Sequence, residues 1–282
     1  MNPEQAIALA CDALDTDPSL ATILHADDAI TVRTGDSLVA RVIPGDAIML
    51  AAARRVLRGA SLLPDHLLQP SGEIIETDEA LIVPYPIFAT DAGGMADLGI
   101  AGACLASMHG AGRQLLDAGT IDLPRFDPQT IATGWLDRSF TVFTGEQQTH
   151  LLDSIAEHWP SVTGRETVIH ADAHALNWAP VRPDWWMLLD SEFLSIGPAV
   201  YDLAPLEVTE RRLHWTSPRF PSFLAGYEEH GDRIDRDALT AAVRVRELLA
   251  VAWLGARVGG DAAIAEQARQ RLRDALAARE QS

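Results

Sequence analysis

Lysine is absent: all 22 basic residues are arginine. A Walker-type phosphate loop needs its lysine against the nucleotide phosphates. Pyridoxal-phosphate and other Schiff-base chemistry needs a lysine amine. Both are therefore excluded. Cysteine is scarce as well. Cys11 and Cys104 alone make neither a disulfide framework nor a zinc site, and both are expected to be small buried side chains. Positive charge is outnumbered, with 22 arginines against 40 acidic residues and a net charge of −18. That balance argues against nucleic acid or an anionic membrane as partner. It would favour encounter with cationic substrates, or serve only as a solubility surface; both readings stand. No apolar run reaches transmembrane length, and Met1–Asn2–Pro3–Glu4–Gln5 lacks the basic start of a secretory leader. The expectation is a soluble cytoplasmic protein. What is present is 282 residues, 48% of them hydrophobic, enough core for one two-lobed unit or two small domains.

The most informative stretch runs from His170 to Asp190. It places Asp172, then Asn177 five residues later, then Asp190 at the end of an apolar run. Thr167–Val168–Ile169 reads as a strand, and Asn177–Trp178–Ala179 and Trp185–Leu189 read as two more, with Pro180–Asp184 as a hairpin turn. Asp172 then sits in a loop and Asp190 at a strand end, where polar groups are exposed yet firmly held. This set suits phosphoryl transfer. Asp172 would accept or orient the proton of a substrate hydroxyl, and Asn177 and Asp190 would hold Mg²⁺ against nucleotide phosphates.

These residues resemble the aminoglycoside phosphotransferase and choline kinase family, a branch of the protein-kinase-like fold. The family's His-Gly-Asp-x-His-x-x-Asn appears as His170 to Asn177, with Ala171 in place of glycine. Its Ile-Asp-Trp-Glu appears as Leu189–Asp190–Ser191–Glu192, and its Gly-x-Pro-x-x-Asp-Leu-Ala as Gly197–Pro198 through Asp202–Leu203–Ala204, without the position between the glycine and the proline. Leu105–Ala106–Ser107–Met108–His109 resembles a further family pattern at a helix end. The likeness is clearest from about Gly99 to Ala204. It implies a catalytic Asp172, Mg²⁺ on Asn177 and Asp190, and ATP or GTP as co-substrate. It also implies that His170 and Asp202 brace the catalytic loop. Arg41, in Val39–Ala40–Arg41–Val42, stands where the kinase pattern has its phosphate-contacting lysine; it is either a phosphate ligand or a surface strand arginine. Its helix glutamate partner is missing from Pro44 to Ser71, and His25–Ala26–Asp27–Asp28 replaces a glycine-rich loop. An adenine edge would pair with backbone near Val83 and Tyr85. For Glu192 three readings are open: contact with a cationic substrate, support of the metal, or a solvated side chain. His174 is open between a local hydrogen bond and a substrate contact.

The expected fold is α+β and two-lobed, with residues 1–88 as a small β-rich N-lobe and 89–282 as a larger, mostly helical C-lobe. The small lobe reads as a five-stranded sheet with one packed helix, Asp46 to Leu57, and a short helix before it. Pro84–Tyr85–Pro86 is expected to interrupt the hydrogen bonding of its strand, and is either a hinge or an ordinary strand end. Helices are expected over Asp97–Met108, Gln147–His158 and about 202–213, 221–229, 237–257 and 261–279, with Asp237 capping the third of the last four. The acidic residues Glu207, Glu210, Glu228, Glu229, Asp232 and Asp235 are either an acceptor-pocket lining, as in the related antibiotic kinases, or a solvated face.

The leading function is a kinase acting on a hydroxyl of a small polar acceptor, expected to be cationic, such as an aminoglycoside or other antibiotic, with no nucleic acid or membrane partner. Amino sugars and amino alcohols are the metabolic alternative. A kinase-like binder with little turnover is a second class, and a metallohydrolase built on His170, Asp172 and His174 is a third.

Overall fold

A computed structural model describes residues 1–26, 29–87, 98–139, 142–213, 219–259 and 261–277. Asp27 and Asp28 of the first hairpin lie outside the described residues, as does the expected domain boundary at 88. By its internal contacts the chain forms two compact units. The first comprises Met1–Ala96, Leu115–Leu123 and Leu176–Leu194; the second comprises Asp97–Gln114, Pro124–Ala175 and Ser195–Ser282.

The first unit is built on a five-stranded antiparallel sheet. Its strands are β1 (Thr22–Ala26), β2 (Ile30–Arg33), β3 (Leu38–Pro44), β4 (Ile75–Glu76) and β5 (Ala80–Pro86), in the order β1-β2-β3-β5-β4. Alternation decides its faces. Ile30, Val32, Ala40, Val42 and Ile82 turn to one side and bury against Ala6 and Ala10 of α1 (Pro3–Ala13). Arg41 and its cross-strand neighbour Val83 therefore share the opposite face. Helix α2 (Ala47–Ser61) starts where Asp46 accepts from the Ile48 and Met49 amides.

The prolines near residue 85 do not interrupt β5. It pairs with β3 continuously from Ala80 to Pro86. The Pro84 carbonyl accepts from the Ser71 amide, while the Ile87 amide donates to Ser37. The even-numbered positions thus turn their polar groups away from β3, so the donors that Pro84 and Pro86 lack are not ones the β3 pairing uses. The candidate hinge is ordinary strand in this structure.

The hairpin of β7 (Trp178–Arg182) and β8 (Trp185–Leu188) belongs to this same unit. Leu188 both accepts from the Leu68 amide (2.9 Å) and donates to the His66 carbonyl (2.9 Å). The Trp185 indole donates to Asp65 at 2.7 Å.

The second unit is mostly helical: the first part of α3 (Leu98–Asp117), then α4 (Pro128–Leu136), α5 (Gly145–His158), α6 (Ala204–Leu213), α7 (Phe220–His230), α8 (Arg236–Ala256) and α9 (Ala262–Ala277). A ribbon of β6 (Glu166–Ile169) and β9 (Ser195–Pro198) lies among them. Helix α8 buries Ala238, Ala242, Val245, Leu248, Leu249 and Ala252 along its length. Helices α3 and α7 cross at backbone contact. A Cβ on Gly102 would stand 2.0 Å from the Phe223 carbonyl oxygen, and one on Gly226 would stand 2.0 Å from that of Gly99. The cap of α8 is Asp235, which accepts from the Asp237 and Ala238 amides; Asp237, expected as the cap, sits in the first turn. Helix α4 was not anticipated, although its start is marked by the Asp127 cap and Pro128. No helix among the described residues is long and apolar enough to cross a membrane.

Candidate active site

In the second unit the segment that carries Asp172 leaves β6 at His170. Asp202, on the 3₁₀ turn Ala199–Leu203, holds it. Its Oδ2 accepts from the His170 amide and its Oδ1 from the Ala171 amide, both at 2.6 Å. Oδ2 also meets His109 Nε2 at 3.0 Å, and His109 Nδ1 meets the Tyr227 hydroxyl at 2.8 Å. Asp202, His109 and His170 have no solvent exposure. Burial, and then the Asp202 and Asp232 charges, push the Tyr227 hydroxyl far above its ordinary pKa, against the opposing effect of Arg113; it stays protonated.

Ala171 has φ +65°. This left-handed position costs a non-glycine residue about 1–2 kcal/mol, and the Asp202 carboxylate holds it there. Ala171→Gly is expected to raise stability by about 0.5–1 kcal/mol, the greater freedom of unfolded glycine offsetting part of the gain. A thermal melt reads this as a midpoint raised by roughly 1–4 °C; an unchanged or lowered midpoint would show that the position carries no strain.

Asp172 follows. Its amide donates to His170 Nδ1 at 3.3 Å, so the imidazole leaves that nitrogen unprotonated. Its Oδ1 accepts a short hydrogen bond from Arg246 Nη2, and its Oδ2 lies 3.6 Å from His174 Nε2. Arg246 comes from the middle of α8, and Asp172 and Arg246 are both 17% exposed at the side chain. Burial works against the guanidinium's charge, but Asp172 and then Tyr201 outweigh it and hold its pKa above the ordinary value. Arg246 was not singled out in the sequence. It is one arginine of an amphipathic helix, 74 residues from its partner, and no local pattern marks it.

In the first unit, the residues expected to contact phosphate and metal form a second cluster. Arg41 Nη1 lies 2.8 Å from Asp190 Oδ1, and Nη2 makes a short hydrogen bond to Glu192 Oε1. Arg41, for which no helix glutamate is present, is thus paired with both Asp190 and Glu192. The hairpin supplies the geometry. The Asn177 carbonyl accepts from the Leu189 amide at 2.8 Å, which sets Asn177 and Asp190 at the same end of β7–β8. Asp190 itself has φ +59°, a conformation that aspartate tolerates better than most residues. Its Oδ1 is buried without an aligned hydrogen bond; the contact with Arg41 is an ion pair, poorly directed. A buried carboxylate oxygen and a carboxamide at one hairpin end are the few oxygen donors that magnesium takes beside phosphate and water, so these residues fit that ion.

Tyr85 lies near this cluster. Burial first, then Asp190, push its hydroxyl up to about 12, with Arg41 opposing. The backbone groups of Val83 and Tyr85 are turned toward β3 by the pairing register, with Arg41 opposite Val83 and Val39 opposite Tyr85. Among the described residues no three His, Cys, Asp or Glu side chains gather into a metal-holding group; His170 is spent on the loop.

Five of the six acidic residues near the C-terminal helices have internal uses. Glu207 pairs with Arg211, Glu210 accepts from the Arg219 and Phe220 amides that open α7, and Glu228 holds Arg236 and the Ile234 amide. Asp232 pairs with Arg113, and Asp235 caps α8.

A model of the phosphotransferase enzyme family matches residues 95–248. No curated protein matches the sequence. Among solved structures, an amicoumacin kinase in complex with AMP-PNP, Ca²⁺ and Ami superposes with a TM-score of 0.71 at 15% identity, over 98% of this chain and 93% of that one. A choline/ethanolamine kinase family protein from Mesorhizobium loti gives 0.66 at 16% identity, over 98% and 95%. An aminoglycoside phosphotransferase from Streptomyces rimosus gives 0.64 at 17% identity, over 88% and 99%. At these identities the likeness is one of fold, and that fold is the kinase-like α+β arrangement of a small antiparallel sheet with a larger helical part. The family match over more than half of its length makes this chain a member of the phosphotransferase enzyme family and, in activity class, a small-molecule kinase.

Proposed function

We propose that this protein transfers the γ-phosphoryl group of ATP or GTP to a hydroxyl of a small polar acceptor in the cytoplasm. The observation that carries the reading is the treatment of Asp172. Its loop is clamped by Asp202, its carboxylate is fixed by Arg246, and it opens the segment that leads to Asn177 and Asp190. In a loose transition state the carboxylate chiefly orients the attacking hydroxyl. Asn177 and Asp190 would hold Mg²⁺, which supplies charge neutralisation at the β- and γ-phosphate oxygens. Arg41, kept in place by Glu192, would add a fixed positive charge toward the same phosphates.

The neighbours in fold are kinases of an antibiotic, of choline or ethanolamine type, and of an aminoglycoside. We place the acceptor in that range, a hydroxylated amine or antibiotic, with resistance or amino-alcohol metabolism as its setting. Cation binding by the acidic residues of α6–α8 has less support, because five of them already serve caps and ion pairs. A second reading, a nucleotide binder with little turnover, draws on Arg41 lying against Asp190.

The test is a coupled phosphotransfer assay with ATP, GTP and Mg²⁺ against aminoglycosides, peptide antibiotics, choline, ethanolamine and 1-aminopropan-2-ol. Acceptor-dependent turnover is expected, and Asp172→Asn should lower kcat by roughly 10²–10⁴-fold. Nucleotide binding without turnover on any acceptor would favour the second reading. Full activity in Asp172→Asn would remove Asp172 from the mechanism.

A further inference from the structure

We propose that Arg246 is a positioning residue for phosphoryl transfer: it clamps one oxygen of the Asp172 carboxylate and so presents the other to the acceptor hydroxyl. The inference rests on the orienting role proposed for Asp172.

The geometry has three parts. Arg246 is anchored on α8, where Ala242, Val243, Val245, Leu248 and Leu249 around it are buried, so its Cα has little room to move. Its guanidinium is permanently charged and meets the carboxylate through one charge-assisted hydrogen bond, Nη2 to Oδ1. It donates to Asp172 Oδ1 and is flanked by Tyr201. Tyr201 is in turn immobilised, fully buried with its ring centroid 4.3 Å from that of Phe126 and edge-on to Trp159 at 6.1 Å. Tyr201 and Asp202 are adjacent in sequence. One short turn therefore carries Asp202, which grips the loop backbone at His170 and Ala171, beside Tyr201, which borders the arginine that grips the side chain at Asp172.

Stability alone does not account for the pair. A largely buried ion pair regains little more than its desolvation cost, and well-packed apolar residues do as well or better in its place. What the pair provides is orientation. Phosphoryl transfer with a loose transition state asks little early proton removal of its carboxylate, so a carboxylate held by arginine still serves, provided it points correctly. A misplacement of about 1 Å costs on the order of 10²-fold in rate.

The experiment compares wild type with Arg246→Ala, Arg246→Met, Arg246→Lys and Asp172→Asn. The substrate is Mg²⁺–ATP with kanamycin, choline or 1-aminopropan-2-ol, and Mg²⁺–ATP hydrolysis, with water as acceptor, serves for each variant as well. Arg246→Ala and Arg246→Met are expected to lose roughly 10–100-fold in kcat, with the KM for ATP within about twofold of wild type. Arg246→Lys should recover part of the loss, and millimolar guanidinium should partly restore Arg246→Ala. Introduced into Asp172→Asn, Arg246→Ala should cost little more, since both remove one function. Thermal unfolding of each variant separates lost folding from lost rate, and Arg246→Met preserves packing if the alanine variant is unstable. Unchanged kcat in Arg246→Met, or a loss that guanidinium and lysine leave unmoved and that follows the folded fraction, would overturn the inference. If Asp172→Asn is inactive while Arg246→Met is normal, the inference falls and the role of Asp172 stands. If Asp172→Asn is fully active, both fall.

Discussion

Asp202→Ala is expected to remove about 3–5 kcal/mol of folding stability, the cost of breaking a buried charged network by deleting one partner. Three donors converge on this carboxylate in a place without solvent: the His170 and Ala171 amides and His109 Nε2. Truncation strands all three, and each buried donor left unsatisfied costs about 1–3 kcal/mol before relaxation. It also releases Ala171 from the constraint that holds it at positive φ. Set against a total of about 5–15 kcal/mol, the loss is large enough to leave a fraction of the chain unfolded. Urea denaturation is the measurement, read as a lowered midpoint with an unchanged slope. Asp202→Asn should fall between the two, because a carboxamide brings one accepting oxygen and one amino group that faces an N–H donor. A loss below about 1 kcal/mol for the alanine variant would mean that water or a neighbour replaces the carboxylate at little cost.

Asp190→Ala is expected to have the opposite profile. Turnover should fall by roughly 10³-fold or more, because Asp190 is the carboxylate of the proposed Mg²⁺ pair and that charge neutralisation is worth several kcal/mol. Stability should change by less than about 1 kcal/mol. The Asp190 side chain is 34% exposed, and Arg41 keeps its pairing with Glu192 when Asp190 is removed, so no charge is stranded. Alanine tolerates the left-handed backbone at this position less well than aspartate, a difference within that figure, and Asp190→Gly run in parallel isolates that part. Initial rates across a Mg²⁺ titration, with thermal melts of the same samples, give both numbers. Turnover within tenfold of wild type would take Asp190 out of the metal site. A stability loss like that of Asp202→Ala would make it a structural residue instead.

Much of the small sheet was legible because each strand announces itself locally. The runs around Ile30–Arg33, Leu38–Pro44 and Ala80–Pro86 alternate or are apolar throughout, and β2, β3 and β5 form there. Helices α5, α7, α8 and α9 were likewise readable from apolar spacing, since burial of one face at period 3.6 is a property of the segment itself. Boundaries were less legible. Asp235 and Asp237 are two residues apart and chemically alike, and only the backbone turn selects the first as cap. The two prolines of β5 look like strand breakers until the pairing register shows which side their missing donors face.

The sequence by itself determined the reaction class. Without lysine there is no Walker loop and no Schiff base, and the ordered set Asp172, Asn177, Asp190 and Asp202 favours phosphoryl transfer over the binder and metallohydrolase readings. It did so because those residues lie within 31 positions and their spacing is a local matter. The tertiary structure alone decided which charge meets which. Arg246 reaches Asp172 across 74 residues, and Arg41 reaches Glu192 across 151. Strand β9 pairs with β6 rather than continuing the hairpin, and the acids of α6–α8 become caps and ion pairs. An ion pair depends on how two surfaces are desolvated and brought within a few ångströms, and neither periodicity nor spacing along the chain carries that information.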